Sequence, residues 1–173
     1  MYKGIEDLIE KVVNDNGEIN DTASPELGEI RKNRRQISET IKNKLEDIFN
    51  SSTYSGVIQE RLITEREGRT VIPIKADFKG QLKGIEHDRS SSGQTIFIEP
   101  LTVLPLNNKM RELEVREREE IKKILLRLTD NIRFNSEGLL KIAEAITELD
   151  ILNVKNQFAK EYNCNMPKII EKE

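Results

Sequence analysis

The chain has 173 residues, enough for one domain or one elongated piece of a larger protein. Apolar residues make up 36% of it and charged residues 34%, with no tryptophan, which argues against a thick globular core and for long helices with much exposed surface. The net charge of −3 makes no global demand for nucleic acid, and a single cysteine, Cys164, excludes an internal disulfide.

The periodicity of the first stretch is helical. Ile5, Leu8, Ile9, Val12 and Val13 recur at helical spacing over residues 4–14, and Asn16-Gly17 supplies a stop. Ser24-Pro25-Glu26 then starts a long helix. Ser24 can cap it, Pro25 needs no N–H in the first turn, and Glu26 suits the positive end of the dipole. Leu27, Ile30, Ile37, Ile41, Leu45 and Ile48, with Arg34 filling a gap, form a coiled-coil seam that runs to about Phe49.

Residues 50–56 are polar and break the helix. The period then changes to short β-rich runs: Leu62-Ile63-Thr64, Thr70 to Ile74, Gly84-Ile85-Glu86 and Gln94 to Ile98. Glu67-Gly68, Lys79-Gly80 and Ser90 to Gly93 separate them as turns. Pro73 inside the second run suggests an edge or a bulge.

Pro100 and Pro105 end the β region. A second long helix is expected from about Asn107 to Ile132, with Met110, Leu113, Ile121, Ile124, Leu128 and Ile132 as its seam and Glu117 in the gap. A third helix should run from Asn135-Ser136 to about Tyr162, with Leu139, Ala143, Ile146, Leu149 and Phe158 turned inward.

The two long helices flank the β region and are nearly equal in length, about 38 Å each. The simplest geometry is an antiparallel pair running out to a β tip and back. Arg34 and Glu117 or Glu120, the polar breaks in the two seams, would then lie close enough to pair. The fold class expected is α+β, mainly α: a long antiparallel helical arm carrying a small antiparallel β domain at its tip. The parts are residues 1–56, 57–104 and 105–173.

Charge is unevenly spread. Residues 1–30 carry eight acids against Lys3 and Lys11, whereas residues 61–89 carry seven Lys/Arg against five acids. The β region can therefore present an anion-binding face in an acidic chain. Lys75, Lys79, Lys83, Arg89 and Arg69 are the candidate phosphate contacts, because phosphate contact needs only cations on an accessible rim. Ser90 and Ser92 could line an anion nest, or be the self-bonding corner of a hairpin in which Gly93 takes positive φ. His87, the only histidine, has no suggested nucleophile or metal partner, so no catalytic or metal site is expected. Glu99 beside Pro100 is expected to fix the junction of sheet and helix. Within the cluster Arg31-Lys32-Asn33-Arg34-Arg35, Arg31, Lys32 and Arg35 can spread around the exposed side of the helix; this reads best as solvated surface, with nucleic acid or an adjacent subunit as the alternative contact. No apolar run approaches 18 residues, which fits a cytoplasmic protein without a membrane partner.

The stretch His87-Asp88-Arg89-Ser90-Ser91-Ser92-Gly93-Gln94-Thr95-Ile96-Phe97-Ile98-Glu99-Pro100 resembles the HD-x-S-x-S-G-x-T-x-F-I-E-P signature of the bacterial MutS paralogues often called MutS-two. Arg69 to Ala76, Lys79-Gly80, Lys83-Gly84-Ile85, Leu106-Asn107-Asn108 and Gly17 to Ser24 resemble further stretches of that family, in the same order. Two positions depart from the pattern: Lys83 stands where the family usually has Pro, and Arg89 where it often has Gln.

The resemblance implies that this chain is the lever and clamp region of a MutS-type ATPase. It includes no G-x-x-x-x-G-K-[ST] loop. ATP and Mg²⁺ would belong to the parent's ATPase domain, with no cofactor in this chain, and Met166-Pro167-Lys168 lies about where the family turns into that domain. The family's partners would be DNA, branched or recombining, and/or ribosomal RNA, with a homodimeric parent that often bears a nuclease module. The chain itself is expected to grip nucleic acid and transmit ATP-driven motion without catalysis. The alternative is a purely structural coiled-coil arm that shapes a dimer.

Overall fold

The computed structural model describes residues 3–165, so Met166-Pro167-Lys168 lies outside the described residues. The chain divides into two compact units at Leu126/Arg127.

In the first unit a short helix α1 (Lys3–Val12) precedes α2 (Pro25–Asn50). The start of α2 follows its sequence: the Leu27 N–H donates to Ser24 Oγ at 3.0 Å, with Pro25 in the first turn. Four strands follow, β1 (Thr64–Arg66), β2 (Arg69–Lys75), β3 (Gly84–Arg89) and β4 (Thr95–Pro100). They form one antiparallel sheet in the order β1-β2-β4-β3. The chain is thus α+β and mainly helical, with a small antiparallel sheet.

Glu67 and Gly68 both take positive φ, 52° and 73°, which is the two-residue turn whose twist suits a tight hairpin between β1 and β2. Pro73 lies in β2, between two neighbours rather than on an outer strand. It is tolerated because its carbonyl faces the irregular segment 57–59, accepting the Gln59 N–H at 3.0 Å. Its nitrogen points to that same flank, where the ladder with β4 needs no donor. Gly84 is required by contact: a Cβ there would fall 2.4 Å from Ile98 Cγ2 and 2.5 Å from the Glu99 carbonyl oxygen.

The core joins the C-terminal half of α2 to one face of the sheet. Ile41, Leu45 and Ile48 pack with Val57, Ile58, Ile72, Ile74, Leu82, Ile96, Ile98 and Val103. These three α2 residues, expected in a helix–helix seam, instead bury against strands. The N-terminal half of α2 meets its partner helix, α3 (Leu104–Phe134), in the expected way, and Leu106 of α3 packs against the core at the other end. Ser24 Oγ donates to Glu120 Oε1 at 2.8 Å, Arg116 pairs with Glu26 at 3.3 Å, and Arg34 pairs with Glu114 at 3.3 Å and with Glu117. From Ser24–Glu120 to Arg34–Glu114 the partner on α3 moves back along the chain as that on α2 moves forward, so the two helices run antiparallel.

Leu27 and Ile30 of α2 and Leu113 of α3 are buried, and polar groups tie the two helices as well. Arg31 Nε donates to Glu117 Oε1 at 2.8 Å while its Nη1 reaches Asp21 Oδ1 at 2.6 Å. Arg35 adds a second bond to Asp21. Burial pushes the Glu117 carboxyl up, but hydrogen bonds from Arg31 and Arg34 outweigh it and hold the group below the ordinary carboxylate range. Bonds from Arg31 and Arg35 likewise lower Asp21. Of the residues expected on the exposed side, Arg31 is therefore part of a structural tie, while Lys32 and Arg35 remain exposed, Arg35 with a bond to Asp21.

The second unit contains α4 (Ser136–Glu161). None of its residues is buried, and Leu140, Ile146, Leu149, Leu152, Val154, Phe158 and Tyr162 are all more than half exposed. Ala143, Ile146, Leu149 and Phe158, expected to face inward, are exposed, and Leu139 is half-buried. Apolar residues occupy more than one side of this helix, so its sequence lacks a single stripe that one neighbour would cover. Among the described residues no helix is long and apolar enough to cross a membrane, and no group of three or more His, Cys, Asp or Glu is placed to hold a metal. Cys164 is free and exposed.

Candidate nucleic-acid interface

The hairpin of β3 and β4 and the loop entering β3 carry most of the candidate cations. β3 is an outer strand, and its pairing with β4 slips between Glu86 and Asp88. Before the slip Glu86 faces Ile98, and after it Arg89 faces Ile96. Ile96 and Ile98 are buried on the same face. Residues three apart would point to opposite faces of a regular strand, so the bulge is what brings Arg89 to the side of Glu86.

The consequence is a charged triplet. Arg89 Nε reaches Glu86 Oε1 and its Nη2 reaches Oε2, while Lys79 Nζ lies 2.6 Å from Glu86 Oε2. Hydrogen bonds from Arg89 and Lys79 hold the Glu86 carboxyl down at about 2. The side chains of Lys79 and Arg89 remain 57% and 49% exposed, so both can still be reached by a ligand.

Lys75 stands apart. It pairs with Thr95, next to Phe97 and opposite in facing to Ile96, and its Nζ sits 5.9 Å from the Phe78 ring centroid. Lys83 precedes β3 and is exposed, with no ion-pair partner among the described residues. It lies about 20 Å along the strand from Arg89. The four cations therefore do not form one patch: Lys79 and Arg89 gather on Glu86, Lys83 marks the far end of the strand, and Lys75 occupies the other face.

Ser90 and Ser92 form the self-bonding corner. Ser90 Oγ accepts the Thr95 N–H at 3.1 Å and lies 3.3 Å from Ser92 Oγ, and the Gly93 N–H donates to the Ser90 carbonyl at 2.8 Å. Gly93 has φ 73°, as the hairpin reading required.

Arg69 turns toward the base of the sheet. Its Nη1 reaches Glu99 Oε1 at 3.1 Å and Asn108 Oδ1 at 2.6 Å. Glu99 is fully buried and also receives Asn107 Nδ2 at 2.7 Å, with His87 Nε2 2.7 Å from its other oxygen. His87 is thus engaged across the hairpin with Glu99, and Asp88 takes the local turn bond from the Arg89 N–H at 2.8 Å. Asp88 also pairs with Arg66 at 2.8 Å, whose guanidinium stacks 4.0 Å from the centroid of Phe97.

Sequence reasoning identified the cations but missed Glu86 as their organiser. The signal was hidden, because only the bulge puts residues 86 and 89 on one side. It also assigned no role to Asn107.

Comparison with known proteins gives one consistent result. The chain is 52% identical over 169 residues to a protein named Endonuclease MutS2 from Fusobacterium nucleatum, covering 98% of this chain and 22% of that relative. It is 41% identical to the Endonuclease MutS2 of Brevibacillus brevis, over 95% of the chain and 21% of the relative. It is also 41% identical to that of Caldanaerobacter subterraneus, over 96% and 21%. No family model matches the chain. The chain spans about a fifth of the length of the curated relatives it matches and is homologous to that stretch of them.

Proposed function

We propose that this chain is the lever and clamp region of a MutS-type ATPase, and that its sheet grips nucleic acid through phosphates while its helices carry motion from the parent's motor. Homology to one stretch of proteins named Endonuclease MutS2 supports the parentage. ATP, Mg²⁺, any nuclease activity and homodimerisation belong in this reading to the rest of the parent. The ligand is DNA, branched or recombining, or ribosomal RNA.

The observation that carries the gripping role is the accessible pair Lys79 and Arg89, held side by side at the edge strand. Such cations attract a phosphate backbone without reading bases, because no helix of the sheet region offers base-edge side chains to a groove. Lys83 and Lys75 extend the contact along the strand and to the second face. Ser90 and Ser92 offer hydroxyls at the adjoining corner, and Arg69 contributes from the base. The test is binding of branched DNA and of structured RNA by the wild type and by a variant with Lys75, Lys79, Lys83 and Arg89 all changed to Ala. Loss of binding in the variant supports the reading. Undiminished binding contradicts it.

A second reading has its own observation. Lys79, Arg89, Arg66 and Arg69 each have an acidic partner within the chain. If those pairs are their whole purpose, the region is a structural arm that shapes a dimer, and the fourfold variant binds nucleic acid as the wild type does.

A further inference from the structure

Glu86 sits between two of the cations that a phosphate backbone would use. We propose that Glu86 is a built-in competitor for phosphate: it keeps Lys79 and Arg89 together at the edge strand and yields them to an incoming nucleic-acid phosphate, thereby limiting affinity. This inference rests on the gripping role proposed above and adds its control element.

Three features of the site argue for it. A carboxylate bridged by a guanidinium through both oxygens and by an ammonium reproduces the donor set that binds phosphate. The bridging is a product of the bulge and not of the hairpin alone, since an unslipped register would turn Arg89 away from Glu86. Finally, all three side chains reach solvent, Glu86 at 25%, so a phosphate can exchange with the carboxylate without unfolding the strand. Exposed ion pairs of this kind are weak and readily exchanged. With Glu86 ionised the triplet carries a net charge of +1, and without it the same two donors present +2 to a polyanion.

The experiment compares duplex or branched DNA binding by the wild type, Glu86→Gln, Lys79→Ala/Arg89→Ala, the triple combination and Glu112→Gln. Glutamine keeps the size of the side chain but removes its charge and turns one of the two acceptor oxygens into a donor, so it can no longer bridge Arg89 and Lys79, and thermal melts of each variant check that the fold is kept. Glu112 is an exposed acid of α3 paired with Lys109, so its variant changes net charge equally elsewhere. The expected result is about two- to fivefold tighter binding by Glu86→Gln at low salt, the factor an exposed pair is worth. Its plot of log K against log salt should also steepen by roughly one unit. Both effects should vanish in the triple combination, and Glu112→Gln should match the wild type. Binding that is weakened by Lys79→Ala/Arg89→Ala but indifferent to Glu86→Gln overturns the competitor and leaves the phosphate contact standing. Equal gains from Glu86→Gln and Glu112→Gln overturn it as a mere net-charge effect. Indifference to every one of these substitutions overturns both the competitor and the contact it rests on.

Discussion

Asn107 and Thr70 close a reciprocal pair: Asn107 Nδ2 donates to the Thr70 carbonyl at 3.0 Å, and the Thr70 N–H donates to Asn107 Oδ1 at 3.3 Å. One side chain near the start of α3 thereby completes the hydrogen bonding of a strand. The same amide nitrogen reaches the buried Glu99. Sheet and helix are therefore joined by polar groups whose loss would leave buried partners unsatisfied.

Asn107→Ala should accordingly cost about 1–3 kcal/mol, because the Thr70 carbonyl and Glu99 Oε1 lose a donor away from water. Urea unfolding measures the cost, and amide exchange at Thr70 should quicken. An unchanged midpoint would mean that water replaces the amide freely. Asn107→Asp should be worse, since it sets a second carboxylate against Glu99.

Glu117→Gln should destabilise the chain by about 1–3 kcal/mol, because Arg31 and Arg34 lose their shared carboxylate in a partly buried seam. The pH dependence follows from the lowered Glu117 and Asp21. A carboxyl that is more acidic when folded contributes stability that is fully present above its ordinary range and is lost as pH falls through the folded value. Melting temperature should therefore drop as the pH is taken below about 4.5, and Glu117→Gln should flatten that drop. Parallel curves for the two proteins would contradict the tie.

Leu45→Ala should cost about 2–5 kcal/mol, as Leu45 is fully buried between α2 and the sheet. Denaturation monitored separately in the helix and the sheet should shift together. A loss confined to helix signal would mean that the two do not share a core.

Gly84→Ala should also be destabilising, since its Cβ would press on Ile98 and on the backbone of β4. A melt equal to that of the wild type would show that β3 can move outward at no cost.

Much of this was legible in sequence wherever a local pattern decides the outcome. The Ser24-Pro25 start, the Glu67-Gly68 turn and the Gly93 corner each rest on the chemistry of one or two residues. The pairing of Arg34 with Glu117 also followed, because both interrupt apolar seams at matching places. What failed depended on which neighbour a seam meets. Ile41, Leu45 and Ile48 keep helical spacing whether they face a helix or a sheet, and the spacing cannot distinguish the two. In α4 apolar residues lie on several sides, so choosing one inward stripe was arbitrary. Glu86 was missed because a one-residue slip in pairing leaves no mark in the alternation of β3.

The most direct test of the phosphate grip is a salt titration of nucleic-acid binding by the wild type and the Lys75, Lys79, Lys83 and Arg89 fourfold alanine variant. If each cation neutralises one duplex phosphate, log K against log salt should fall with a slope of roughly −3 to −4 for the wild type. The variant should bind more weakly to all sequences alike and with a much flatter slope. Equal affinity of the two proteins at low salt would contradict the grip and leave the region a structural arm.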